Sequence, residues 1–205
     1  GNNYEMKLGK ISSFKVTSTG TTSLKLSWKQ TDKTGVDGYY IYRLKNGSYS
    51  KIKTITNPAT TSYTVTGLST GTGYKFLIRA YGSFEYTDEY DETYSSGPIT
   101  STYSGATLTA PTKPSKVTIS KLTTGSKYIR AYWGKKTGTG YNVYVATNSK
   151  FTKGLKKYSI KSSSTLNKKV TGLKKGTTYY VKVRAYKTYN GKTVYGGHNI
   201  GIEAD

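Results

Sequence analysis

The segment Gly67-Leu-Ser-Thr-Gly-Thr-Gly-Tyr74-Lys-Phe-Leu-Ile-Arg-Ala-Tyr81 returns 105 residues later as Gly172-Leu-Lys-Lys-Gly-Thr-Thr-Tyr179-Tyr-Val-Lys-Val-Arg-Ala-Tyr186. Trp28 and Trp133 stand at the same offset, whereas Gly38-Tyr-Tyr-Ile-Tyr and Gly140-Tyr-Asn-Val-Tyr stand 102 apart. Repetition on this scale reads as one unit of about 100 residues used twice, with loops of slightly different length.

Within each unit the period is two. Leu24, Leu26 and Trp28 alternate with Ser23, Lys25 and Ser27, and Ile129, Ala131 and Trp133 alternate with Tyr128, Arg130 and Tyr132. Tyr74, Phe76, Ile78 and Ala80 share one face, as do Tyr179, Val181, Val183 and Ala185. Successive side chains on a strand point to opposite faces, so each set marks a core-facing side and leaves Lys, Arg and Tyr outside. Asn46-Gly47 and Asn190-Gly191 each separate two such runs, and Asn-Gly supplies the positive φ pair of a tight hairpin turn. About seven short strands per unit, divided by turns every 8–12 residues, predict an all-β chain of two consecutive antiparallel sandwiches. The expected modules are residues 10–108 and 113–205. Residues 109–112 form the linker, stiffened by Pro111 and Pro114, and residues 1–9 a leader.

Composition agrees. Tyrosine, at 22 residues, carries much of the burial that 34 % apolar residues must supply. No run approaches the roughly 18 apolar residues of a membrane span, so insertion is not expected. Cysteine is absent, which removes disulfides, zinc–thiolate sites and thiol nucleophiles, and no cofactor is expected. A start on Gly1 with the sole Met at position 6 fits a piece of a longer parent chain with other domains.

The net charge of +22 is unevenly shared. Residues 1–110 hold 12 Lys+Arg against 8 Asp+Glu, net +4; residues 111–205 hold 20 against Glu203 and Asp205, net +18. Only Arg43, Arg79, Arg130 and Arg184 are arginines. Lysine is a hydrated point charge without the bidentate fork of base readout, so the excess predicts attraction to a polyanion, with nucleic acid disfavoured.

The Trp on the second strand, the Gly-Tyr-x-[Ile/Val]-Tyr third strand and the Gly-Leu-x-x-Gly-Thr-x-Tyr approach to the sixth resemble the fibronectin type III family over roughly residues 10–205. The resemblance implies that Trp28 and Trp133 are core landmarks. It also implies that Tyr74 and Tyr179 are tyrosine corners whose hydroxyls bond back to the chain. The Lys-rich, Cys-free second unit is similar to modules of secreted or wall-associated Gram-positive proteins. Such modules serve as spacers, adhesion elements or hydrolase accessories, and the location implied is extracellular.

The second unit's two carboxylates lie in the last three residues and its sole imidazole is His198, so no acid–base pair assembles and no catalytic residue is assigned. In the first unit Glu85, Asp88, Glu89, Asp91 and Glu92, with Tyr86, Tyr90 and Tyr94, fall between the sixth and seventh strands. They read as a solvated acidic loop, a protein-contact loop or, without the usual spacing, a calcium loop. Outward residues Tyr144, Tyr180, Lys182, Arg184 and Tyr186, with Tyr40, Tyr42, Lys75, Arg79 and Tyr81 in the first unit, read either as cross-strand packing or as a platform for a polysaccharide or anionic wall polymer.

Overall fold

The computed structural model describes residues 7–100 and 107–204. The first six leader residues, residues 101–106 of the first expected module, and Asp205 lie outside them. Two compact units are built around successive sets of strands.

The first holds β1 (Ile11–Thr19), β2 (Leu24–Gln30), β3 (Val36–Lys45), β4 (Ser48–Ile55), β5 (Ser62–Val65), β6 (Gly73–Thr87), β7 (Thr93–Thr100) and β8 (Thr107–Pro111). One sheet is ordered β1-β2-β5; the other is β4-β3-β6-β7, with β8 also pairing β6. The second unit repeats the plan. It comprises β9 (Ile119–Gly125), β10 (Tyr128–Trp133), β11 (Gly140–Ala146), β12 (Lys156–Ile160), β13 (Asn167–Val170), β14 (Tyr179–Tyr189), β15 (Lys192–His198) and β16 (Ile202–Ala204). Its sheets run β13-β10-β9 and β12-β11-β14-β15, and β16 pairs β14. The strands pair antiparallel, and in both units the last strand along β6 or β14 comes in two pieces. These are the two consecutive antiparallel sandwiches that the alternation predicts, in the fibronectin-type-III-like arrangement that the resemblance implies.

The predicted inward faces are buried: Leu24, Leu26, Trp28, Phe76, Ile78 and Ala80 in one core, and Ile129, Ala131, Trp133, Val181, Val183 and Ala185 in the other. Each Trp leans on a fully buried Tyr from the third strand, Trp28 on Tyr39 at 5.4 Å and Trp133 on Tyr141 at 5.3 Å between ring centroids. The buried phenols find partners, as such groups must. Tyr39 donates to Gln30 Oε1 (3.0 Å), and Gln30 Nε2 donates in turn to the Gly9 carbonyl. Tyr141 donates to the Ser163 carbonyl (2.8 Å) and accepts from the Lys136 N–H. Tyr179 accepts from the Lys174 N–H at 2.9 Å, which is the expected tyrosine corner. Tyr74 is buried at the matching position.

The glycines before those tyrosines are required by close approach. A Cβ on Gly38 would collide with the Ile55 carbonyl, and one on Gly140 with that of Ile160. Both Asn-Gly turns have the expected left-handed pair, with φ of 49° and 80° at Asn46-Gly47 and 47° and 77° at Asn190-Gly191.

Two expectations change. The segment 109–112 is not free connecting chain: β8 continues to Pro111, and Thr112 is fully buried, its hydroxyl donating to the Ser69 carbonyl at 2.6 Å. An edge strand tolerates Pro because the missing N–H faces no partner. Tyr186, which alternation puts on the outer face, is only 8 % exposed. The bare Gly140 directly across from it lets the ring lie down over the neighbouring strand.

Candidate functional site

The acidic residues of the first unit form the end of a hairpin, not a loose loop. β6 runs through Glu85, Tyr86 and Thr87, β7 resumes at Thr93, and Tyr86 pairs Tyr94 with rings stacked at 6.4 Å. Asp88 organises the tip: its Oδ1 accepts from the N–H groups of Tyr90 and Glu92, both at 2.9 Å. The Tyr94 hydroxyl donates to Glu92 Oε2 at 2.7 Å and to Asp88 Oδ2 at 3.3 Å. Those carboxylates push the Tyr94 phenol above its ordinary range. The carboxylates of Asp88 and Glu92 are therefore engaged within the tip. Glu89, Tyr90 and Asp91 project outward, Tyr90 being 78 % exposed. Among the described residues no group of three or more His, Cys, Asp or Glu could hold a metal ion.

The outer face of the first unit's larger sheet is closed by its own rings. Tyr40 stacks on Tyr81 at 4.2 Å, with Lys51 Nζ 4.1 Å above Tyr40. Arg79 sits 5.6 Å over Tyr42. Burial among these rings, together with neighbouring Tyr40 and Asp37, raises the Tyr81 phenol.

The same face of the second unit is arranged differently. Lys157, Lys182 and Arg184 gather around one ring, Tyr144, at 5.8, 5.6 and 5.3 Å. Arg184 is fixed twice, by its guanidinium lying 3.7 Å over Tyr195 and by Nε donating to Asn142 Oδ1 at 3.1 Å. Lys182 also stands 4.4 Å over Phe151. Tyr144, Phe151, Lys157, Lys182 and Arg184, with Lys150, Leu155 and His198, line a basin of about 330 Å³. No carboxylate lines it.

The connection between β11 and β12 makes one wall. Asn148 Oδ1 accepts from the N–H groups of Thr152 and Lys153 (2.9 and 3.0 Å), and the Asn148 carbonyl accepts from the Phe151 N–H. This side-chain-to-backbone pattern holds Phe151 at φ 54°, a left-handed conformation that a bulky residue seldom adopts. Its ring is buried against Gly201, where a Cβ would come within 2.7 Å of it. The far wall depends on Asn199, buried between β15 and β16. Its Oδ1 accepts from the Val183 N–H (3.0 Å) and its Nδ2 donates to the Val181 carbonyl (3.2 Å), so the side chain bridges the break in β14's ladder.

Of the predicted second-unit surface, Tyr144, Lys182 and Arg184 converge on the basin. Tyr180 lies half-buried beside β16, paired with Glu203, and Tyr186 is buried. Phe151, Lys150, Lys157, Asn142 and Tyr195 were not anticipated as a group. The signal was the offset, which falls to 102 at Gly140 and returns to 105 by Tyr179, leaving three extra residues between the third and sixth strands.

Comparison with known proteins follows the same lines. Residues 9–93 match the family model "Fibronectin type III domain". The chain is 32 % identical over 113 residues to Chitinase D and 33 % identical over 137 residues to Chitinase A1, both of Niallia circulans. Those alignments take in 55 % and 63 % of this chain but only 17 % and 18 % of the chitinases, so the chain spans less than a fifth of either relative. A two-domain fibronectin type III segment of chicken tenascin aligns with 93 % of this chain and 98 % of its own, at 17 % identity and a TM-score of 0.47.

Proposed function

Taking the chain as two fibronectin-type-III-like sandwiches in tandem, we propose that it is a non-catalytic accessory and spacer segment of an extracellular protein that acts on polysaccharide. In this reading it associates with anionic wall polymer through the lysine-rich second unit. The observation that carries the proposal is the pairing of a charge of +18 on residues 111–205 with a likeness to part of two chitinases. A net field of one sign draws polyanions at long range and is screened by salt. An acid–base pair for hydrolysis has no candidate in the second unit, and the first unit commits Asp88 and Glu92 to its hairpin tip.

A second reading, attachment to a protein partner, is favoured by the projecting Glu89, Tyr90 and Asp91. A third, stacking on neutral sugar, is weakened by the loss of Tyr186 from the surface and by the cations already placed over Tyr144.

Co-sedimentation separates these readings. The full chain is mixed with Gram-positive walls, with and without teichoic acid, and with chitin, at about 50 and about 300 mM salt, a range across which exposed ionic contacts fade. Binding lost with salt and with teichoic acid removal supports charge association. Salt-resistant binding to chitin transfers the function to neutral sugar. No binding to any solid leaves the protein-partner reading, tested by replacing residues 89–91 with Gly and Ser.

A further inference from the structure

We infer that the basin on the second unit is a defined binding subsite for the acidic group, carboxylate or phosphate, of a polysaccharide chain; this rests on the charge-association reading and narrows it to one place.

A surface cation is ordinarily steadied by a nearby acid or left mobile in water. Among the described residues Lys157, Lys182 and Arg184 have no acidic partner; aromatic faces and one amide hold them instead. Gathering like charges around a single ring costs free energy, and a bound anion would remove that cost. Arg184 contributes most to geometry. Asn142 and Tyr195 fix the plane of its guanidinium and use Nε, which leaves the two Nη groups to form the paired bonds that carboxylate and phosphate oxygens accept.

The first unit shows what this face looks like without such a site. At the position matching Asn142 it has Tyr40, which stacks on Tyr81 instead of orienting an arginine, and the Nε of Arg79 is buried with no partner. Its third and fourth strands join at Asn46-Gly47, so it has no counterpart of the wall at residues 147–155. That wall carries a cost of its own, the left-handed Phe151, imposed by the Asn148 bonds. Local conformational cost that places a side chain beside unpaired cations is the pattern of a functional site. The basin, at about 330 Å³, falls within the range of roughly 300–1,000 Å³ for small-ligand sites.

The test is amide-resolved NMR of the full chain, titrated with glycerophosphate, with glucuronate and with neutral chitotriose. Lys182→Gln with Arg184→Gln removes two charges from the basin; Lys168→Gln with Lys169→Gln removes two from β13 in the other sheet. Expected are shifts confined to residues 142–157, 181–184 and 195–199 with one or both anions. Binding should weaken about tenfold or more in the basin variant, the scale of one lost charge-assisted hydrogen bond, and by less than about twofold in the β13 variant. Whichever anion binds more tightly identifies the group as phosphate or carboxylate. Equal weakening in the two variants would overturn the subsite while leaving diffuse charge association intact. Binding of chitotriose as tight as either anion, or no localised shifts with any probe, would also overturn it, even if the chain still sediments with walls. Unchanged amide positions outside the basin in the unliganded variants establish that both remain folded.

Discussion

The two units repeat the same core pattern and differ on one outer face. Trp28 with Tyr39 and Trp133 with Tyr141 are near copies, down to tilt angles of 57° and 58°. Outside, the first unit spreads its cations singly over rings and stacks Tyr40 on Tyr81, whereas the second collects three around Tyr144 beside an inserted wall. A duplicated scaffold keeps its inward residues because packing punishes changes there. Its outward residues and loops are free to diverge, and function is carried on those parts.

If the difference lies wholly outside the cores, the two tryptophans should matter equally. Trp28→Ala and Trp133→Ala should each destabilise their own unit by about 3–5 kcal/mol, the usual cost of emptying a buried aromatic site. Denaturant unfolding followed by calorimetry checks this, and a large inequality would mean that the cores also differ.

Asn199 lies between β15 and β16 of the second unit, and Asn199→Ala leaves the Val183 N–H and the Val181 carbonyl buried without their partner. The expected loss is about 3 kcal/mol, at 1–3 kcal/mol for each buried group left unsatisfied. Hydrogen exchange should accelerate along β14, and unchanged protection there would show that the ladder does not depend on this side chain.

How much of this was legible in the sequence follows from which physics sets each part. Alternation at Leu24–Trp28 and Ile129–Trp133 disclosed the strands because a period of two is local and burial is one-sided. The Asn-Gly pairs disclosed two hairpins through their own φ preferences. Tyr186 was misplaced because its burial depends on the absent side chain of Gly140, on another strand. The basin was only half visible for the same reason: Tyr144, Lys182 and Arg184 follow alternation, but Phe151 and Asn142 join them through loop bonds and strand register that no local period encodes. Asn199 carries no mark in the sequence, since no local pattern signals a side chain that replaces a ladder.

Smaller effects sharpen the comparison. Asn148→Ala should cost about 1 kcal/mol, the net worth of a typical intramolecular hydrogen bond, and should free Phe151. Phe151 and Leu155 amides should then broaden or shift by NMR, and sharp unchanged signals would remove Asn148 from the account. In the first unit, burial raises Tyr39 above 10.0, opposed by the nearby Trp28. The folded unit thus keeps a proton that the unfolded chain releases, so this group's stabilisation is complete below about pH 10 and is lost as pH rises through the folded value. Tyr39→Phe should flatten the alkaline fall in stability of the first unit. An equally steep fall in the variant would assign that limb to other groups.

The most direct test of the contrast between the faces is the salt concentration that elutes matched variants from immobilised teichoic acid. Lys51→Gln with Arg79→Gln removes two charges from the first unit's face, and Lys182→Gln with Arg184→Gln removes two from the second's. The second pair should elute at clearly lower salt while the first stays near the unaltered chain. Equal displacement of the two would contradict the contrast, reducing the basin to one part of a uniformly basic surface.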